Sequence, residues 1–222
     1  MEVCLNSSEV RLRRFAVGML IAGVFALAAS AVIMNWDRAV SHAVRAGHVP
    51  GDVRKAIELS EAFAHGSGVA AILITLLLAS QHRRAGIWVV TLMTALSGLT
   101  ANLLKAAFTR ARPYTYDSGP QVVTDVTGWQ FLGTESFWDA SQRSFPSGHT
   151  ATAWGLAFGL SLLFPRATLM FLFLAILATY QRLNSGSHFP SDTVAGFGIA
   201  CLACSAVLFI PRLRRTLCTA RS

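Results

Sequence analysis

Three short clusters in this 222-residue chain carry residue types suited to handling an anion. The first, residues 105–113, holds Lys105, Arg110, Arg112 and Pro113. The second is Ser144-Phe145-Pro146-Ser147-Gly148-His149. The third, residues 182–192, holds Arg182, His188 and Asp192. Arginine presents a planar fork of donors that matches phosphate oxygens, and lysine adds a compact charge. Gly148 lets backbone N–H groups come close to an anion. If residues 147–149 open a helix, its free N–H groups and dipole point at the same place. Of the two histidines, one can attack phosphorus and the other can protonate the leaving oxygen. Asp192 follows His188 by four residues and can hold one imidazole nitrogen, fixing its tautomer.

These clusters need elements to bring them together. The chain is 53% hydrophobic and 14% charged, with a mean hydropathy of +0.50. Soluble domains are about 45–50% apolar and about 25% charged. A disordered chain or nucleic-acid tail is therefore excluded, and an ordinary soluble fold is disfavoured. Uncharged apolar runs cover residues 15–34, 62–79, 85–104, 150–165, 167–180 and 193–210. A helix needs about 17–25 apolar residues to cross a bilayer. The fourth and fifth runs are short, and they lengthen to 149–165 and 166–182 by taking in His149, Gln181 and Arg182. Pro165 and Arg166 suit a tight turn between them. The first run exceeds the roughly 7–15 residues of a signal-peptide core, so it reads as a span. The expectation is all-α: a polytopic membrane protein with six transmembrane helices and short outer interfacial helices. It forms one membrane-embedded domain over residues 1–222, with spans at about 15–34, 62–79, 85–104, 149–165, 166–182 and 193–210.

Charge placement orients these spans. Six spans put both termini on one side, with ten arginines and only Glu2 and Glu9 against them. The other side receives nine basic and nine acidic residues. The net charge of +8 thus lies on one face, which the positive-inside rule makes cytoplasmic. This accounts for the basic pI without a nucleic-acid partner. It places all three clusters on the opposite face, the periplasmic or outer side of a bacterial inner membrane. There the outer loop 105–148 joins the first cluster to the second.

Other features read more plainly. Cys201 and Cys204 sit inside an apolar run, so their spacing reads as packing rather than metal or redox chemistry. Trp36, Ala39, Val40, Ala43 and Val44 follow helical spacing. They suit either an amphipathic helix on the outer interface or a loop helix packed on its neighbours. Aromatics between residues 114 and 145 argue for an ordered loop. They line a headgroup pocket or sit in the interfacial belt. Arg110 and Arg143 read equally as substrate contacts or as solvated or structural residues. His42, His48, His65 and His82 read as structural.

Taken together, Lys-x6-Arg-Pro, Pro-Ser-Gly-His and Arg-x5-His-x3-Asp resemble the type-2 phosphatidic acid phosphatase family, which also includes soluble vanadium haloperoxidases. Order and spacing match across most of the chain from the third span onward. The resemblance implies a metal-independent phosphatase without a cofactor, working through a phosphohistidine on a phosphomonoester or diphosphate of a membrane lipid. It makes His188 the nucleophile, Asp192 its orienting partner and His149 the general acid. Lys105, Arg112 and Arg182 then clamp phosphate, with Ser147 and Gly148 adding hydrogen bonds. Gln181 departs from the family, which usually has Ser there. A lipid phosphotransferase uses the same histidine chemistry and stays open. A haloperoxidase is disfavoured by six apolar spans. A transporter is disfavoured because the span centres carry no ionisable groups. The partners implied are the bilayer and a lipid phosphate, with no oligomeric state specified.

Overall fold

The computed structural model describes residues 7–118, 128–129 and 139–221. Helix α1 (Ser7–Ile33) follows the first apolar run and continues through a 3-10 turn, Met34–Trp36, into α2 (Asp37–Ala46). After Pro50 come α3 (Gly51–Leu59) and a 3-10 turn at Ser60–Phe63. Helix α4 (Gly66–Ala79) then leaves at 70° to the segment Gly51–Phe63. Helix α5 (Arg84–Lys105) leads to a two-residue strand β1 (Phe108–Thr109), antiparallel to β2 (Gly128–Trp129). The chain closes with α6 (Gly148–Leu163), α7 (Thr168–Asn184), α8 (Pro190–Phe209) and α9 (Pro211–Arg221). Proline opens both α8 and α9, where a missing N–H costs nothing and the fixed φ is already helical.

Each of the six apolar runs carries a helix, but six membrane spans are more than the helix lengths support. Among the described residues, four helical segments are long and apolar enough to cross a membrane: Ser7–Ala46, Gln81–Lys105, Pro165–Asn184 and Pro190–Phe209. The bent pair Gly51–Phe63 and Gly66–Ala79 supplies a fifth if taken as one span. The expected second span at 62–79 is therefore shorter as a helix, beginning only at Gly66. Helix α6 has 16 residues, about 24 Å at 1.5 Å per residue. Its position explains its length. It lies at the centre, with Ala151, Ala153, Leu156, Ala157 and Leu160 essentially inaccessible among α5, α7 and α8. Protein rather than lipid encloses it, so it need not match the bilayer.

The outer helices turn large apolar residues outward. Phe25 is 73% exposed on α1, Leu78 69% on α4 and Leu169 84% on α7. An apolar exterior of this extent belongs in hydrocarbon rather than water. Close packing inside relies on small residues, as at Ser97, Gly98, Gly155 and Gly159 where α5 meets α6. Cys201 and Cys204 are fully buried on α8, in the packing role expected of them.

The helix ends sort into two layers. At one end Glu9 pairs with Arg215 at 3.1 Å, Arg83 donates to the Leu163 carbonyl at 3.2 Å, and Ala220 packs against Gly86. At the other end α2, the start of α6 and the α7–α8 turn meet. There Ser147 N–H donates to the Asp192 carbonyl at 3.0 Å and Tyr114 N–H to that of Gly186 at 3.1 Å. Helix α2 buries Asp37 and Ser41, while Val40 and the preceding Trp36 are exposed, so the Asp37–Ser41 face lies against protein. Tyr116 packs edge-on to Phe189, 5.9 Å between centroids, and Arg38 lies over its ring. The expectations for Phe131, Phe137 and Trp138 lie outside the described residues, as do those for Glu2 and the Trp129 side chain.

Candidate active site

Each cluster reaches the site on the end of a helix. Lys105 closes α5. Ser147 caps α6, its hydroxyl accepting the Thr150 N–H at 3.4 Å and the Thr150 hydroxyl at 3.0 Å. Gly148 and His149 therefore form the first turn of α6, with the helix N-terminus facing the site. A Cβ at Gly148 would fall 2.8 Å from Asn102 Oδ1, so a larger residue here would displace the Asn102 side chain at the cavity wall. Arg182 sits in the last turn of α7. The chain then reverses at Gly186, whose φ of +66° suits glycine at a helix C-terminus. The N–H groups of Ser187 and His188 both return to the Arg182 carbonyl at 3.2 Å. This closure fixes His188 next to Arg182.

A cavity of about 270 Å³ gathers these side chains. Lys105, Arg112, Gly148, His149, Arg182 and His188 line it, with His65 and Asn102 among its other walls. Six of the eight residues singled out from sequence thus share one cavity. The other two stand behind it. Ser147 is fully buried as the α6 cap, and Asp192 is fully buried at the start of α8. Three cations and a helix N-terminus converging on a small polar cavity suit a phosphate group.

Asp192 is held more tightly than spacing alone suggests. Its Oδ2 accepts the Ser144 hydroxyl at 2.6 Å and the Phe189 N–H at 2.7 Å, and its Oδ1 pairs with Arg110. His188 Nδ1 lies 3.7 Å from Oδ2 and has no hydrogen-bond partner among the described residues. The carboxylate is therefore aligned with the imidazole but beyond hydrogen-bond length. Burial pushes the His188 imidazole down to about 4, against the pull of Asp192. A lowered value keeps the ring neutral, with its lone pair available, at ordinary pH.

Sequence reasoning gave no role to Asp37, Ser144 or Glu61, and it left Arg110 open between a substrate contact and a solvated or structural residue; the structure makes it structural. Arg110 is not a solvated residue: it is fully buried between Asp37 and Asp192, with its guanidinium 4.4 Å from the Phe189 ring. Its place within the first cluster was the available signal. Asp37 and Ser144 are equally buried. Glu61 pairs with Arg182 at 2.8 Å, accepts from Gln181 Nε2 at 3.3 Å and lies 4.0 Å from His149 Nε2. Gln181, where the resembling family usually has Ser, also accepts from Arg182 Nε and so ties that cation to Glu61. His65 lies beside His149, 5.9 Å between ring centroids, and its Nδ1 contacts the Ser67 hydroxyl at 2.9 Å as the cap of α4.

Bundle and cavity together define an integral membrane protein with a cavity lined by three cations at one end of its helices. The chain belongs to the PAP2 superfamily, whose pattern matches residues 86–215. It is 41% identical over 101 residues to a lipid A 1-phosphatase of Rhizobium etli, covering 45% of this chain and 39% of that protein. It is 39% identical over 116 residues to a lipid A 1-phosphatase of Rhizobium johnstonii, covering 51% of this chain and 43% of that one. The chain thus spans about two-fifths of the length of these relatives. Its fold is similar to that of Aquifex aeolicus LpxE, with a TM-score of 0.54 at 22% identity over 77% of this chain and 92% of that one. A PAP2-type phosphatidylglycerolphosphate phosphatase from Bacillus subtilis gives a TM-score of 0.59 at 20% identity, over 86% and 93%.

Proposed function

We propose that this chain is a lipid phosphate phosphatase that works through a phosphohistidine. The observation that carries this is the cavity itself, in which His149, His188 and three cations meet at the end of a lipid-facing bundle. Lys105, Arg112 and Arg182 hold the phosphate oxygens, with the Gly148 end of α6 supplying backbone donors. His188 attacks phosphorus while His149 gives a proton to the departing oxygen. The lipid alcohol leaves, and phosphate stays bonded to nitrogen. Water then attacks, with His149 now taking a proton, and free phosphate is released. Most of the catalysis lies in positioning and charge stabilisation, as phosphoryl transfer requires.

The substrate placed first is the 1-phosphate of lipid A, on the strength of the two Rhizobium relatives. A site at the membrane surface suits any substrate whose tails stay in the bilayer. The arginine asymmetry supports cytoplasmic termini and a site facing the periplasm from the inner membrane. The test is phosphate release by detergent-purified protein in excess EDTA. The panel contains lipid A, phosphatidic acid, phosphatidylglycerol phosphate and undecaprenyl diphosphate. Release from lipid A ahead of the others supports the assignment. No release from any of them, by folded protein, overturns the phosphatase reading.

Two further results are expected. Vanadate adopts the trigonal-bipyramidal shape of the phosphoryl transition state, and mimics of that state bind tightly. Activity untouched by about millimolar vanadate would contradict a phosphate-shaped cavity. The second concerns pH. His188 is lowered from 6.5 to about 4, so it takes up a proton only as pH falls towards 4. Single-turnover phosphorylation should therefore lose its nucleophile near pH 4. A loss centred at 6.5 would show that the imidazole is solvated.

A further inference from the structure

Asp37 lies outside all three clusters and outside residues 86–215, yet it is built into the support of the site. Arg110 Nη2 donates to Asp37 Oδ2 at 2.6 Å. Its Nη1 donates to the Ser191 hydroxyl at 2.8 Å and to Asp192 Oδ1. Asp37 Oδ1 accepts the Ser191 N–H at 2.9 Å, and its Oδ2 accepts the Ser191 hydroxyl. Asp37, Arg110 and Asp192 thus form a row of three charges whose side chains are wholly inaccessible to solvent.

The row carries two negative charges and one positive, an excess of one negative charge behind His188. In front of His188 stand Lys105, Arg112 and Arg182, with His149 across the cavity. As His188 attacks, an N–P bond forms, the P–O bond breaks and the leaving oxygen takes its proton from His149. The imidazole ring gains positive charge in a place already crowded with cations. Asp192 is the carboxylate positioned to balance that charge, but Arg110, Ser144 and Phe189 N–H all draw on it. How much of its charge remains depends on how far Arg110 is shared.

We infer that Asp37 is a positioning residue for the nucleophile: it draws Arg110 partly away from Asp192 and leaves net negative charge behind His188. This rests on the reading that His188 attacks phosphorus. The first helical segment, α1 continuing into α2, then helps position the nucleophile and is not a membrane anchor alone. Its position is independently fixed by the Ser30 hydroxyl, which donates to the Ser191 carbonyl at 2.9 Å.

The test is Asp37→Asn, which keeps the shape and an acceptor oxygen but removes the charge. Active sites are titrated with vanadate, and phosphohistidine formation is followed in a single turnover on radiolabelled lipid phosphate. Residues supporting an active group typically contribute about 10–100-fold. Phosphohistidine formation per titrated site should fall at least about tenfold within that range, with KM little changed. Asp37→Glu should recover part of the loss. Adding Arg110→Gln to Asp37→Asn restores the net charge of the row and should bring the rate back towards wild type. A mere cap on α8 predicts otherwise: fewer titrated sites or a lower Tm, with an unchanged rate per site, and that overturns the inference. If Asp37→Asn does not fold, the double variant decides alone, and a loss of about tenfold or more from wild type overturns it. Absence of a phosphoenzyme in wild type is a separate result and counts against His188 as nucleophile.

Discussion

His188→Ala is expected to abolish phosphate release and leave no trapped phosphoenzyme. Removing the nucleophile of a group-transfer enzyme typically costs on the order of 10⁶ in turnover, because the partners that serve it have nothing left to serve. The structure gives reason to expect a folded variant. His188 Nδ1 has no hydrogen-bond partner among the described residues, so its removal strands no donor or acceptor there. Asp192 keeps Arg110, Ser144 and the Phe189 N–H. Lys105, Arg112 and Arg182 remain around the cavity, so vanadate should still bind, though without its bond to nitrogen. The measurement is phosphate release in detergent with excess EDTA, beside a thermal melt and a vanadate titration. Turnover within tenfold of wild type, by protein that melts normally, would falsify the phosphohistidine mechanism.

Much of this architecture was legible in the sequence because it depends on local, repeated signals. Apolar run length located helices α1, α4, α5, α6, α7 and α8, though not all of them as spans, and their even number put both termini on one side. The three clusters consequently fell at one end of the bundle, where the structure has them. Legibility failed where the deciding contact is distant in sequence. Arg110 stays open between a substrate contact and a solvated or structural residue until topology brings Asp37 and Asp192 against it from opposite directions along the chain. Asp37 sits in a helix whose apolar spacing draws attention to Trp36 and Val40, while the working side is Asp37 and Ser41.

The bend near His65 was hidden for a related reason. Hydropathy is continuous from residue 62 to 79, and it records burial in lipid rather than direction. The helix break is made by the His65 cap and the close approach at Gly68. A Cβ at Gly68 would sit 2.1 Å from the Ala62 carbonyl oxygen, so the turn needs glycine there. That bend is what carries Glu61 and His65 to the cavity. Spacing gave Asp192 as a partner of His188 but did not show that other donors already occupy its oxygens. Hydrogen-bond competition of this kind appears only when all the donors are in place.

His149→Ala should cost about 10²–10⁴ in turnover on a lipid phosphate, the usual contribution of a general acid. The size of the loss should depend on the leaving group. An alkoxide needs a proton as the P–O bond breaks, whereas p-nitrophenolate leaves well without one. The ratio of alkyl phosphate to p-nitrophenyl phosphate turnover should therefore fall sharply in the variant. His65 is the rival donor, since it lines the same cavity and lies next to His149. Its Nδ1 is engaged by Ser67 at the start of α4, and no carboxylate pairs with it among the described residues. His149 has Glu61 at 4.0 Å and stands on the first turn of α6, lining the cavity with Lys105, Arg112 and Arg182. The assignment thus predicts a selective loss for His149→Ala and an unchanged ratio for His65→Ala. A selective loss at His65, with equal losses on both substrates at His149, would exchange the two roles.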